Sequence, residues 1–246
     1  MKRPVSIFFG RERGMAFFVA FLAFVVILNP LIASAQAGRI ALSLVFFFTL
    51  VFGALATVQH RFLAYLIVAL AISTLGADLV DEFSPGRHAA TLETTLRLAG
   101  LSILVCLTLK RIFSPGPVTR YRVIGGIAGY LLIGLTWAFA YQLVSQQEPN
   151  AIHFLAPAPD VPSRLPTRLM YFSFVTLTTV GYGDAYPERP ATRSLAVAEA
   201  LVGQLYVAIL IASLVGMALQ TKTEGDREGR LVSDEAASTK QSPLVG

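Results

Sequence analysis

Six stretches of this chain are nearly free of charge. They are Gly14 to Gly38, Ile40 to His60, Phe62 to Ala77, roughly Leu92 to Leu109, Val123 to Gln147, and Ser194 to Thr221. The fourth contains Glu93 and Arg97, and the last is broken only by Glu199. About 20 predominantly apolar residues cross a bilayer as a helix, so each stretch is long enough or nearly so. A seventh uncharged stretch, Leu169 to Gly183, has only 15 residues and is bounded by Arg168 and Asp184. That length suits a segment that enters a membrane and leaves on the same side. The pattern predicts an all-α membrane protein of six transmembrane helices, with a re-entrant helix and loop between helices five and six. It divides the chain into a four-helix N-terminal region over 1–110, of which 1–14 is cytoplasmic, and a linker over 111–122. A second region follows over 123–221. The polar tail over 222–246 has mixed charge and no apolar periodicity, and reads as disordered.

Composition agrees with a lipid solvent. Of 246 residues, 54% are hydrophobic and 14% charged, against roughly 25% charged in a soluble domain. The net charge of +5 does not point to nucleic acid, because the basic residues fall in short loops between apolar runs. They also fix an orientation. With the N-terminus in the cytoplasm, that side receives 13 Lys and Arg and the other side 6, leaving only Arg97 within a span. Both termini are therefore expected in the cytoplasm of a multi-pass cell-membrane protein. Lys2 and Arg3, the first apolar run and Ala33-Ser34-Ala35 also fit a secretory signal with a cleavage site, although the run reaches spanning length. Cys106 lies in an apolar run and reads as a small packing residue. His60, His88 and His153 have no metal-ligand spacing. No cofactor is implied.

The short uncharged stretch ends in Thr176-Leu177-Thr178-Thr179-Val180-Gly181-Tyr182-Gly183-Asp184. Thr-Val-Gly-Tyr-Gly is the chemistry of a potassium selectivity filter, which replaces an ion's hydration water with rings of backbone oxygen. One strip per chain cannot surround an ion, so the reading requires a homotetramer, each chain meeting three identical subunits around an axis. Successive carbonyls face that axis only if the backbone alternates in hand. Glycine reaches positive φ without steric cost, which accounts for Gly181 and Gly183. Potassium would sit at Thr179, Val180, Gly181 and Tyr182, with Val180 and Tyr182 side chains turned back into the protein. Residues 166 to 178 read as a short helix, with Pro166 in its first turn. The negative end of its dipole would face the pore centre. Asp184 and Glu188 lie just outside the strip. Asp184 could bind it to the short helix, with Tyr171 as a donor, and both acids would concentrate cations.

Residues 121 to 219 resemble the pore module of tetrameric potassium channels: outer helix, pore helix, filter and inner helix. The nine-residue stretch is similar to that family's signature at nearly every position, and Ala185-Tyr186-Pro187 continues the likeness. Glu199, Gly203, Gln204, Leu205, Tyr206 and Leu214-Val215-Gly216 are similar to the bacterial two-helix ion-channel family. The resemblance implies a passive, potassium-selective pore and says little of residues 1 to 120. Some bacterial channels carry a glutamate behind the filter, where this chain has Val175. Glu199 is then either a substitute support, alongside Thr178, or an interfacial acid paired with Arg193 or water. Gly203 is either an inner-helix hinge or a packing glycine. Gln204, Val207 and Ile211 share a helical face that suits a cavity wall, and Leu214 suits a dewetting gate.

A voltage sensor needs arginines at every third position of the fourth span. Only Arg97 lies there, and Asp78 in the third span is its candidate partner. Pro115-Gly116-Pro117 interrupts any lever to the fifth span. Weak or absent voltage dependence is expected. An enzyme is not. Gly181-Tyr182-Gly183-Asp184 also fits the Gly-x-Gly-Asp of intramembrane aspartyl proteases, but Asp78, Asp81 and Asp160 are poorly placed as the second acid. A non-conducting assembly or signalling protein that keeps a pore-like module is the other alternative.

Overall fold

The computed structural model describes residues 5–32, 38–57, 61–83, 86–114, 119–148, 150–155 and 167–241. Seven helices and a two-stranded ribbon form in these residues: α1 (Val5–Ile32), α2 (Gly38–Thr57), α3 (Arg61–Phe83), α4 (Arg87–Ile112), α5 (Arg120–Gln147), β1 (Ile152–Phe154), α6 (Thr167–Leu177), β2 (Ala185–Pro187) and α7 (Pro190–Gln241). The uncharged runs become helices because a helix satisfies its own backbone polar groups, and lipid offers no partners for them. Among the described residues, three helical stretches have the length and apolarity to cross a membrane, His88–Ile112, Arg120–Gln147 and Pro190–Met217. Shorter apolar stretches lie in α1, α2 and α3.

The α5 helix is the hub. It packs against α1, α4, α6 and α7, while α2 and α3 pack on one another and on α4. One core joins Phe18 of α1, Phe46 and Leu50 of α2, Ile67 of α3, Leu101 and Leu104 of α4, and Leu132 and Phe139 of α5. A second, smaller cluster of Ile133, Leu177 and Tyr206 joins α5, the end of α6 and α7. Apolar side chains such as Phe17, Leu55, Phe62, Tyr65 and Leu201 are exposed, as they are in a membrane protein. Cys106 is among the exposed positions of α4 and is not a core packing residue.

Several elements differ from the sequence pattern. The first helix starts at Val5, inside the stretch expected to be a cytoplasmic lead. The ribbon was not expected: β1 and β2 pair antiparallel, with Ile152 opposite Pro187, His153 opposite Tyr186 and Phe154 opposite Ala185. The expected disorder from residue 222 is replaced by helix, since α7 continues to Gln241. Its sequence there permits this. Asp226 and Arg230 have i,i+4 spacing, and no proline intervenes before Pro243. Ala33-Ser34-Ala35 and Pro115-Gly116-Pro117 lie outside the described residues.

Arg97 has a partner within its own helix. Its guanidinium meets Glu93 at 2.6 Å, one turn earlier in the same helix, and both residues are buried. It lies 5.2 Å from the Phe46 ring centroid and 5.9 Å from that of Phe139. The i,i+4 spacing makes this pair available without bringing two helices into register. The Asp78 side chain is not among those described.

Candidate functional site: a strip of backbone oxygen behind a short helix

The segment from Leu155 to Asp184 leaves the ribbon and returns to it. The Leu155 N–H donates to the Asp184 carbonyl at 2.9 Å, and the Glu188 N–H donates to the Ala151 carbonyl at 3.0 Å. The Thr192 hydroxyl donates to that same Ala151 oxygen at 2.7 Å, fixing the start of α7. His153 stacks on Tyr186 at 4.9 Å between centroids and lies 3.6 Å from the Glu188 carboxylate. Arg168 sits 4.0 Å above the Phe154 ring. The two ends of a 30-residue excursion are thereby clamped side by side.

Within it, α6 ends at Leu177 and the chain turns back along the helix end. The Val180 N–H donates to the Val175 carbonyl at 3.0 Å, and the Gly181 N–H reaches the same oxygen at 3.4 Å. In a trans peptide the carbonyl points opposite to the N–H of its own unit. With the N–H groups of 180 and 181 aimed at α6, the carbonyls of Thr179 and Val180 point away from it, to the open side. Backbone hand alternates along the strip: φ is +59° at Thr179, +56° at Gly181 and +80° at Gly183. Gly181 and Gly183 suit this at no cost. Thr179 does not, because a branched Cβ opposes left-handed backbone. Sequence reasoning missed it. The signal was the spacing of two, carried back one step from the glycines. Two contacts hold Thr179 in place: its N–H donates to the Thr176 carbonyl at 2.9 Å, and its hydroxyl oxygen accepts from Gln204 Nε2 at 3.0 Å.

The mouth of the strip is tied to α6 by Tyr171, whose hydroxyl donates to the Asp184 carboxylate at 2.7 Å. That hydrogen bond, with lesser help from desolvation and nearby charge, pushes the phenol up to about 12. Tyr171 therefore stays a donor through the neutral range. The Thr178 hydroxyl donates to the Phe174 carbonyl at 2.6 Å. Val180 and Tyr182 are 52% and 72% exposed in the single chain, so the protein wall expected behind them is incomplete. They face a cleft of about 290 Å³ shared with Val26, Tyr171, Phe174 and Val175.

The side of α7 that meets the chain carries Thr192, Glu199, Gly203 and Tyr206, all buried. Tyr206 donates to the Gly126 carbonyl of α5 at 2.7 Å. At Gly203 a Cβ would stand 2.1 Å from the Leu177 carbonyl oxygen, so α7 crosses the end of α6 where no side chain fits. Glu199 lies behind α6, fully buried, in contact with the hydroxyls of Tyr141 and Ser173. It is not paired with Arg193, whose Nε donates to the Pro187 carbonyl at 3.2 Å. Ser173 and Tyr141 were not singled out in the sequence, where nothing distinguishes a serine inside an apolar helix. Gln204, Val207 and Ile211 are exposed and Leu214 half-buried, on one stripe leading away from Thr179. No group of acidic, His or Cys side chains suited to a metal occurs among the described residues.

Short helix, alternating strip and apolar inner helix make the C-terminal half a membrane module built to present backbone oxygen. Residues 162–220 match the ion channel family model. Two relatives from Oryza sativa subsp. japonica align with the chain. "Two pore potassium channel a" is 33% identical over 88 residues, which are 35% of this chain and 24% of that protein. "Two pore potassium channel c" is 40% identical over 93 residues, 38% of this chain and 18% of that protein. The match therefore spans a quarter or less of these relatives' length. Over the matched stretch the chain is similar to the ion channel family.

Proposed function

We propose that the protein is a potassium-selective channel, a homotetramer through which ions pass passively. The observation that carries this is the alternation of hand at Thr179, Gly181 and Gly183, with carbonyls turned to the open side of the strip. Four such strips around an axis would form successive oxygen rings at Thr179, Val180, Gly181 and Tyr182. An ion sheds water, occupies these rings and is displaced by the next. The single chain leaves Val180, Tyr182 and most of α7 uncovered; only 11% of the most apolar part of α7 is buried, against 56% for α5. Copies of the chain and lipid are the natural cover. In this reading α1 to α5 and α7 are six spans, α6 and the strip are re-entrant on the outer side, and both termini are cytoplasmic. The clamped ends of the 155–184 excursion support the re-entrant placement. The aspartyl-protease alternative loses ground because the Asp184 carboxylate is engaged by Tyr171. The side chains of Asp78, Asp81 and Asp160 lie outside the described ones.

The test is flux in liposomes containing the purified protein, with potassium and then sodium as the permeant ion. Gly181→Ala should abolish potassium selectivity. A Cβ at Gly181 meets nothing within 4 Å in its own chain, so crowding within the chain plays no part. The cost is the left-handed backbone, about 1–2 kcal/mol per copy, carried by all four copies at once. Selective potassium flux at the wild-type level in this variant would refute the assignment.

A further inference from the structure

A charged Glu199 would leave its hydrogen-bond network one proton short at Ser173. Its Oε2 accepts from the Tyr141 hydroxyl at 2.6 Å, and its Oε1 lies 2.5 Å from Ser173 Oγ. The same Ser173 oxygen lies 2.8 Å from the Gly134 carbonyl oxygen. A serine hydroxyl has one proton to give, a carbonyl only accepts, and an ionised carboxylate only accepts. With Glu199 charged, one of the two Ser173 contacts would be oxygen against oxygen with no hydrogen between them. Both close if the acid itself holds the proton. Glu199 then donates to Ser173, Ser173 donates to Gly134, and Tyr141 donates to the other carboxyl oxygen. Every hydrogen is used and none is missing. The surroundings agree. Glu199 is fully buried and makes no ion pair among the described residues, and an unpaired charge inside a membrane protein is expensive.

We propose that Glu199 is held as the neutral acid and serves as a positioning residue for the strip, a proton-bearing bolt through three helices. The contacts run from α7 through Glu199 to Ser173 of α6 and on to Gly134 of α5, with Tyr141 of α5 closing the other side. Ser173 stands two residues before Val175, whose carbonyl receives the Val180 and Gly181 N–H groups. Release of the bolt would let α6 shift and the strip's carbonyls lose their common direction. That consequence rests on the channel reading; the location of the proton does not.

Infrared spectroscopy of the full chain in lipid bilayers reads the proton. The difference spectrum between wild type and Glu199→Gln should contain a protonated-carboxyl stretching band assignable to Glu199. In Ser173→Ala that band should move to higher frequency, because the acid has lost its acceptor. Flux reads the consequence. Glutamine can donate to Ser173 and accept from Tyr141, so Glu199→Gln should keep potassium-over-sodium selectivity. Glu199→Leu can do neither and should lose it. Absence of the band, its indifference to Ser173→Ala, or a Glu199→Gln variant as unselective as Glu199→Leu would each overturn the proposal. Wild-type protein that passes no potassium would instead overturn the channel reading, and the infrared band would still decide the proton.

Discussion

One carbonyl oxygen decides what residue 203 can be. The Leu177 oxygen would lie 2.1 Å from a Cβ there, and backbone cannot swing aside as a side chain can. Gly203→Ala must push α7 off the end of α6, at a cost of about 1–3 kcal/mol per chain typical of overpacking. The expected result is a lower midpoint of thermal unfolding in detergent. A glycine kept only for hinge bending would show the reverse, unchanged stability with altered opening, and that result would remove the close-packing argument. The geometry thus favours packing, an option the sequence left level with a hinge. At the strip, Gly181 and Gly183 disclosed their backbone hand by being glycine. Thr179 concealed the same conformation because its side chain opposes it, at a strain of order 1–3 kcal/mol. Glu199 was legible as an unusual acid, but its partners were not, since Tyr141 and Ser173 are 58 and 26 residues away in the chain.

Helices were legible in proportion to how completely lipid dictates them. Uncharged runs placed α2 and α5 closely, because an apolar segment in a bilayer has little choice but a helix, whereas α3 runs on past Ala77 to Phe83. The pattern failed where that constraint ends. The polar part of α7 is helical without an apolar face, and three-residue strands are too short to show a period. The Glu93–Arg97 pair of α4 was not read from the sequence, although the two residues have helical spacing. This pair yields an element-level prediction. Arg97→Met removes the guanidinium that meets the buried Glu93 carboxylate, and loss of one partner from a buried pair costs about 3–5 kcal/mol. The Glu93→Gln/Arg97→Met double variant should recover much of that loss, with Met filling the space between Phe46 and Phe139. Thermal unfolding of the two variants and the wild type gives the comparison. A double variant no more stable than Arg97→Met alone would show that the pair is not the unit.

For the whole molecule, the same pair bears on how the N-terminal helices could act on a pore. Moving one elementary charge across a membrane is worth about 2.3 kcal/mol per 100 mV, and steep voltage dependence needs several such charges in each subunit. Arg97 lies inside α4 with a counter-charge, Glu93, one turn away on the same helix. Any translation of α4 carries both together, and their contributions to gating cancel. Arg111, at the end of α4, sits 4.5 Å from the Tyr121 ring of α5, a contact that ties the two helices at this end. What remains is a bundle packed on α5 by aromatic and aliphatic side chains, with no ladder of free charge in α4. Recordings from the protein in planar bilayers should therefore show open probability changing by less than an equivalent single charge per chain predicts. Steeply sigmoidal opening would mean that charge moves elsewhere in the chain, and would exclude α1 to α4 as a passive brace for the outer helix.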